Sequence, residues 1–533
     1  MAAPEVLLTT DTPVESAPKP GRFAAIHPLL FAAYPVLFLW SQNLGETDTR
    51  DVLLPLIVLV GVAAVATLLL GFVFRDRRRA ALIVTPLLIG LLMYGHAATL
   101  LGKIHVPGIL QQAGWVALVL IGIVAAIRLS ARRLATVDTA LDRVAAILVV
   151  VTLVLIVPFQ VSAASRGPMA VVEPKPDTTT AQKRDVYWLI FDRYGSDRSY
   201  ELLYGIHNDM SAWLRDQGFT VLDKSHANYV RTGASIPTTM TMTHLKDIAG
   251  LPGPESTDLH PLQGLMQSSL VARQFKTLGY RYYHIGSWWG PNANDIAADV
   301  NLNVPGPSDF VSALYDESAA PAVLKRLKLE QVADDARERH YKHNVYGLDA
   351  LASMRDEPGP KFVFSHILLP HPPTVFDRDG RFMSIPEESA LSEKEQLQRQ
   401  LDYTNTRLRE ILGRLLALPE DKRPIIILQA DEGPESGIYR ATRKTTFDWA
   451  NASDDDVEVK FGIMNAWYVP GGQDLGLYPT ITSINTFPLL FSRYFGLDYA
   501  LLPDTVYAPK RYYLDYDLTD VTGRLPSLRE TTP

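Results

Sequence analysis

Five apolar stretches, at about 23–41, 52–74, 80–101, 114–128 and 142–160, dominate the first third of the chain. Most approach the roughly 20 residues a helix needs to cross a bilayer, which predicts a five-span membrane unit over residues 23–162. Helices of a soluble bundle would instead show polar faces. From residue 185 the pattern changes. Short, near-continuous runs of Val, Ile, Leu and Phe at Val186–Phe191, Phe362–His366, Pro424–Leu428 and Phe461–Val469 read as strands buried on both faces. Between them, Tyr200–Gln217, Leu262–Leu278 and Leu391–Leu416 carry helical periodicity. Strands alternating with helices predict an α/β domain over 185–533 with a mostly parallel sheet.

Basic residues sharpen the first third. Lys19 and Arg22 precede the first stretch, Arg75, Arg77, Arg78 and Arg79 follow the second, and Arg128, Arg132 and Arg133 follow the fourth. The intervening loops, Asn43–Asp51 and Gly102–Gln112, carry one basic residue each, Arg50 and Lys103. The positive-inside rule therefore predicts a cytoplasmic tail over residues 1–22 and, after an odd number of spans, an extracytoplasmic second part of a multi-pass cell-membrane protein. Residues 163–184, rich in Pro, Thr and charge, read as an exposed linker. The small-residue run Val161–Ala164 is a membrane exit or a processing site.

Net charge separates the parts again. The chain carries 51 basic and 58 acidic side chains, and the deficit lies wholly after residue 184. So acidic a domain predicts no nucleic-acid partner. Cysteine is absent, which excludes disulfides, thiolate metal sites and cysteine nucleophiles.

Candidate chemistry gathers at the strand ends. The first strand ends in Asp192, another runs to His366 and then His371, and a third ends in Asp431, Glu432 and Gly433. Open α/β sheets bind ligands outside the carboxyl ends of their strands, so these groups are expected to share one crevice. Within Tyr229–His244, Ser235 reads as a helix N-cap with Pro237 in the first turn. That places Thr232 just ahead of a helix N-terminus, where backbone amides attract anions.

The order of Asp192, Thr232-x-x-Ser-Ile-Pro, His366-x4-His371 and Asp431-x-Gly433 resembles the alkaline phosphatase superfamily. Five spans followed by an outward domain is similar, within it, to lipoteichoic acid synthases and phosphoethanolamine transferases. The resemblance implies Asp192 and Asp431 as metal ligands, Thr232 as nucleophile and further ligand, and His371 and His366 as contacts to the substrate phosphate. The family usually has histidine after the last Asp, where this chain has Glu432, and no histidine follows His371. With Glu432 as the fourth ligand the set holds oxygen alone, which favours one divalent Mn or Mg over Zn. A formylglycine sulfatase is excluded, since Thr232 stands at the nucleophile position.

The expected function is a metal-dependent transferase that moves a phospho-head group from a phospholipid donor to an envelope glycan or lipid acceptor through a phospho-threonine. His284, Trp288 and Asn292, in the segment HIGSWWGPNAN, are expected on the acceptor side. A phosphodiesterase acting on soluble esters, or a non-catalytic envelope-binding domain in which Glu432 has disabled the site, are the competing readings.

Overall fold

Among the described residues of the apolar first third, three helices have the length and composition to cross a membrane: Thr49–Phe74, Gly108–Arg128 and Ala131–Ala164. A bent pair, Arg77–Leu92 and Tyr94–Lys103, makes a fourth if its two halves count as one span. The first expected span is a 16-residue helix, His27–Gln42. The computed structural model describes residues 25–167, 169, 172–327, 336–442, 447–449, 451–511 and 514–529, so the expected tail 1–22 lies outside the described residues. The chain divides into one unit of residues up to Ser41, Val52–Leu155 and Glu317–Ala320, and a second of Gln42–Asp51, Ile156–Asp316 and Pro321 onward.

Within the first unit the apolar helices are pinned by a few buried polar groups. The Asp142 carboxylate accepts the backbone amides of Ala25, Ile26 and His27 at 3.2, 3.0 and 2.7 Å, which caps the first helix. One turn earlier on the same face, Asp138 pairs with Arg78 at 3.4 Å and His27 at 3.3 Å.

The second unit is built on a seven-stranded sheet of β1 (Val186–Phe191), β2 (Thr220–Val221), β3 (Arg281–Ile285), β4 (Val300–Leu302), β5 (Lys361–Ile367), β6 (Ile425–Gln429) and β7 (Asn465–Tyr468), in the order β2-β7-β6-β1-β5-β3-β4. The five strands from β6 to β4 run parallel, and β7 and β2 add an antiparallel edge. Every residue of β1, β5 and β6 is buried, as continuous apolar runs require. Alternate side chains explain why. Tyr187, Leu189 and Phe191 pack on one face with Leu348, Leu351, Leu408 and Leu412, while Val186, Trp188 and Ile190 pack on the other with Phe275, Phe487 and Phe491.

Two expected helices are each broken in two. Tyr200–Gln217 divides at Gly205, whose φ of 59° closes the helix Asp197–Tyr204 in a left-handed cap. Leu262–Leu278 divides at Ser268 and Ser269, where Ser269 caps a new helix, Leu270–Thr277. The expected strand Phe461–Val469 shortens to β7, because Phe461 ends the helix Asp454–Phe461.

Candidate metal and phosphate site

Strand register brings the expected groups together. Ile190 of β1 pairs with His366 of β5 on one side and with Gln429 of β6 on the other. Continuing two residues past the β1–β6 pair sets Asp192 beside Asp431. The Asp192 amide extends the ladder by donating to the Ile367 carbonyl at 2.9 Å. Ligand atoms of Asp192, His366 and Asp431 all lie within 4.8 Å of one another, and all three residues are buried. Asp192 Oδ1, His366 Nε2 and both Asp431 carboxylate oxygens have no hydrogen-bond partner. Buried polar atoms are nearly always paired, so four ligand atoms without a hydrogen bond, on three residues this close together, fit a bound cation. The cluster of His27, Asp138 and Asp142 also has metal-ligand composition, but the amides of one helix start occupy Asp142 and Arg78 pairs with Asp138.

Charges inside the site are unequal. Burial opposes ionisation of Asp192, but His371 and His366, followed by Arg193, outweigh it and hold its carboxyl well below the usual range. Asp431 is pushed up to about 7, by burial first and then by the charges of Asp192 and Glu432. Thr232 faces Asp431 and eases its ionisation. Burial, together with the nearby Arg193 charge, lowers His371, whose Nδ1 meets the carbonyl of Pro372.

Thr232 opens the helix Thr232–Thr241, with Arg231 as its cap residue. Ser235 is therefore inside the first turn and is not the cap that its sequence context suggests. Its hydroxyl donates instead to the backbone carbonyl of Asp431 at 2.6 Å, which ties the start of this helix to the end of β6.

Glu432 departs from the expected ligand position. One oxygen accepts from Arg193 Nε at 2.8 Å and the other from Lys460 Nζ at 2.7 Å. Arg193 also meets Glu435 at 3.0 Å, so two cations and two carboxylates join in one largely buried network. Gly433 makes this possible: a Cβ there would sit 2.4 Å from the Val459 carbonyl, so only glycine lets the turn approach the helix that carries Lys460. The converging donor set is two carboxylates and an imidazole, not oxygen alone. The ground for preferring Mn or Mg over Zn goes with Glu432, because a nitrogen ligand suits Zn as well.

Two of the remaining expected residues, Asn292 and His284, sit behind His366. Asn292 Nδ2 lies 2.8 Å from His366 Nδ1, and His284 Nε2 lies 3.1 Å from the Asn292 carbonyl. Trp288 donates to His340 Nδ1 at 2.8 Å. Sequence reasoning missed Arg193, Lys460 and His340. Arg193 had a local signal, as the charged neighbour of a strand-end Asp, whereas Lys460 and His340 reach the site only through the fold.

No protein-family model matches the chain. No curated protein matches it either. Among solved structures, it is similar to the C-terminal periplasmic domain of EcEptC from Escherichia coli in complex with Zn, at 12% identity over 66% of this chain and 96% of that one, with a TM-score of 0.41. The integral membrane protein lipooligosaccharide phosphoethanolamine transferase A from Neisseria meningitidis matches at 13% identity over 88% of this chain and 95% of that one, with a TM-score of 0.38. A putative sulfatase from Bacteroides thetaiotaomicron matches at 11% identity over 61% and 78%, with a TM-score of 0.37.

Proposed function

We propose that the chain is a membrane-bound, divalent-metal-dependent transferase that moves a phospho-head group from a phospholipid to an envelope glycan or lipid, with Thr232 as nucleophile. One observation carries this reading: Asp192, His366 and Asp431, buried and with four ligand atoms that lack a hydrogen bond, bring one ligand atom each within 4.8 Å of the others beside a hydroxyl at a helix N-terminus. Asp192, His366 and Asp431 would hold the metal, with Thr232 completing the set. The bound ion would lower the pKa of the hydroxyl and offset charge on the phosphoryl oxygens.

The chain's own groups supply the rest. Thr232 Oγ forms a bond to phosphorus as the bond to the diacylglycerol oxygen breaks, and the Thr232 proton leaves with that oxygen. An acceptor hydroxyl then attacks phosphorus, gives up its proton and restores Thr232. Amides at the start of Thr232–Thr241 and the His371 ring stabilise negative charge on the nonbridging oxygens. Glu432, neutralised by Arg193 and Lys460, supports the turn that aims Asp431. Five membrane spans, an inward N-terminus and an outward catalytic domain over 185–533 fit a donor presented by the outer leaflet.

The test feeds head-group-labelled phosphatidylethanolamine and phosphatidylglycerol to the purified full chain and measures diacylglycerol. Release that requires an added glycan or lipid acceptor supports transfer. Release into water without one makes the chain a phosphodiesterase, and no release with any divalent metal overturns the catalytic reading.

A further inference from the structure

Behind His366 runs a chain of buried polar groups that the transfer chemistry does not use. Asp295 Oδ2 accepts from the Tyr282 hydroxyl at 3.0 Å, and that hydroxyl lies 3.3 Å from His284 Nδ1. His284 Nε2 donates to the Asn292 carbonyl at 3.1 Å, and the Asn292 amide reaches His366 Nδ1 at 2.8 Å. Tyr282, His284, Asn292, Asp295 and His366 are all at most 2% exposed. Burying so many polar groups without pairing each would be costly, so their order specifies where the turn Gly290–Asn292 sits.

The same turn is clamped from its other side. Asn303 Nδ2 donates to the carbonyls of Ser287 and Ala293 at 3.0 and 2.8 Å. A Cβ on Gly286 would lie 2.1 Å from the Ala293 carbonyl, so this close return of the chain requires glycine. Asn292 is thus held by backbone and side chain before any ligand arrives.

We infer that Asn292 is a positioning residue of the metal site, whose side-chain amide sets the tautomer and ring orientation of His366. This rests on the metal-site reading above. A histidine that binds metal through Nε2 must carry its proton on Nδ1 and needs an acceptor there. The Asn292 amide offers either end: its NH2 group facing Nδ1 leaves the proton on Nε2, which faces Asp192 Oδ2 at 3.6 Å, and a half-turn presents Oδ1 to an Nδ1–H. One amide therefore serves both forms with no movement of the ring. Asn292 lies behind the ligand and not on the acceptor side of the site.

The experiment measures Zn2+ affinity of the detergent-solubilised full chain by competition with a chromophoric chelator, and thermal unfolding without metal as a check on folding. Asn292→Leu and Asn292→Ala remove the acceptor, one keeping the volume and one not. Both are expected to weaken binding about 10- to 100-fold. Asn292→Asp keeps an oxygen facing Nδ1 and is expected to retain near-native affinity. Native affinity in Asn292→Leu, or a loss in Asn292→Asp as large as in Asn292→Leu, would overturn the inference, since space-filling alone would then explain the residue. His366→Ala separates the two levels: if the native chain binds one equivalent that His366→Ala loses, the metal reading stands whatever Asn292 does. If the native chain binds none, that reading falls and takes this inference with it.

Discussion

The Ser235 hydroxyl donates to the Asp431 backbone carbonyl at 2.6 Å, joining two segments 196 residues apart. This bond fixes Thr232, three residues before Ser235, against the carboxylate that follows β6. Ser235→Ala leaves a buried carbonyl unpaired and is expected to cost about 1–3 kcal/mol of stability. With Thr232 as the proposed nucleophile, its position governs the attack geometry, so kcat should fall about tenfold or more with little change in KM. Urea unfolding and steady-state kinetics on the same preparation check both. Unchanged kcat would mean that Thr232 is placed by other contacts.

Glu432 gives a prediction of opposite character. Its carboxylate lies between Arg193 and Lys460, and all three side chains are at most 15% exposed. Removing one member of such a buried network strands the others, so Glu432→Ala should cost about 3–5 kcal/mol. Metal stoichiometry, measured on protein that remains folded, should stay at one. Loss of metal with intact stability would restore Glu432 to the ligand set.

These two residues show what could be read from the chain alone. The strands β1, β5 and β6 were legible because both faces are buried, which leaves unbroken apolar runs ending in Asp192, His366 and Asp431. The register that converges them follows from parallel pairing. Glu432 was misplaced because its partner Lys460 lies 28 residues on, in a helix that only the Gly433 turn brings close. Ser235 had the local signature of a cap, and a long-range carbonyl took its hydroxyl instead. The strand β3 was missed since Arg281 and His284 interrupt its apolar run. Its His284 and Asn292 were expected on the acceptor side, whereas their hydrogen bonds run toward His366, a direction that depends on how the turn folds back at Gly286.

His340 predicts a pH dependence. Burial first, and then the charge of His371, lowers its pKa to about 3 from an ordinary 6.5. Between those values the unfolded chain binds a proton that the folded chain refuses. Stability should therefore fall as pH drops below about 6.5, by at most about 1.4 kcal/mol per pH unit from this group. His340→Gln should flatten the slope between pH 6.5 and 4.5 in denaturant titrations. Equal slopes in both proteins would show that His340 is protonated in the folded state.

Topology can be tested independently of chemistry. A reporter fused after Arg184 should be extracytoplasmic, and one inserted within Arg75–Arg79 cytoplasmic, if five spans and the basic loops set the orientation. The same side for both would defeat the five-span arrangement. That result would mean that one of the three expected spans between the two reporters does not cross, the bent pair Arg77–Leu92 and Tyr94–Lys103 being the irregular one.

The proposed covalent intermediate discriminates most sharply among hydroxyls. Thr232 is half-buried at the helix start and faces Asp431, so it combines access with proximity to the candidate metal ligands. Ser235 is committed to the Asp431 carbonyl. Thr238 and Thr239 are buried, and their hydroxyls donate to helix carbonyls at 2.7 and 2.8 Å. Thr241 donates likewise to the Pro237 carbonyl at 2.8 Å. Mass spectrometry of protein quenched during turnover should place a phospho-adduct on Thr232. Thr232→Ala should abolish turnover while changing stability by no more than about 0.5 kcal/mol, as expected for a partly exposed hydroxyl at a helix start. Thr232→Ser keeps the nucleophilic oxygen and should retain part of the activity; its loss of the methyl frees χ1 and loosens the attack geometry. An adduct on Ser235, or full turnover in Thr232→Ala, would move the nucleophile one helical turn along and would require the Ser235–Asp431 bond to break in the working enzyme.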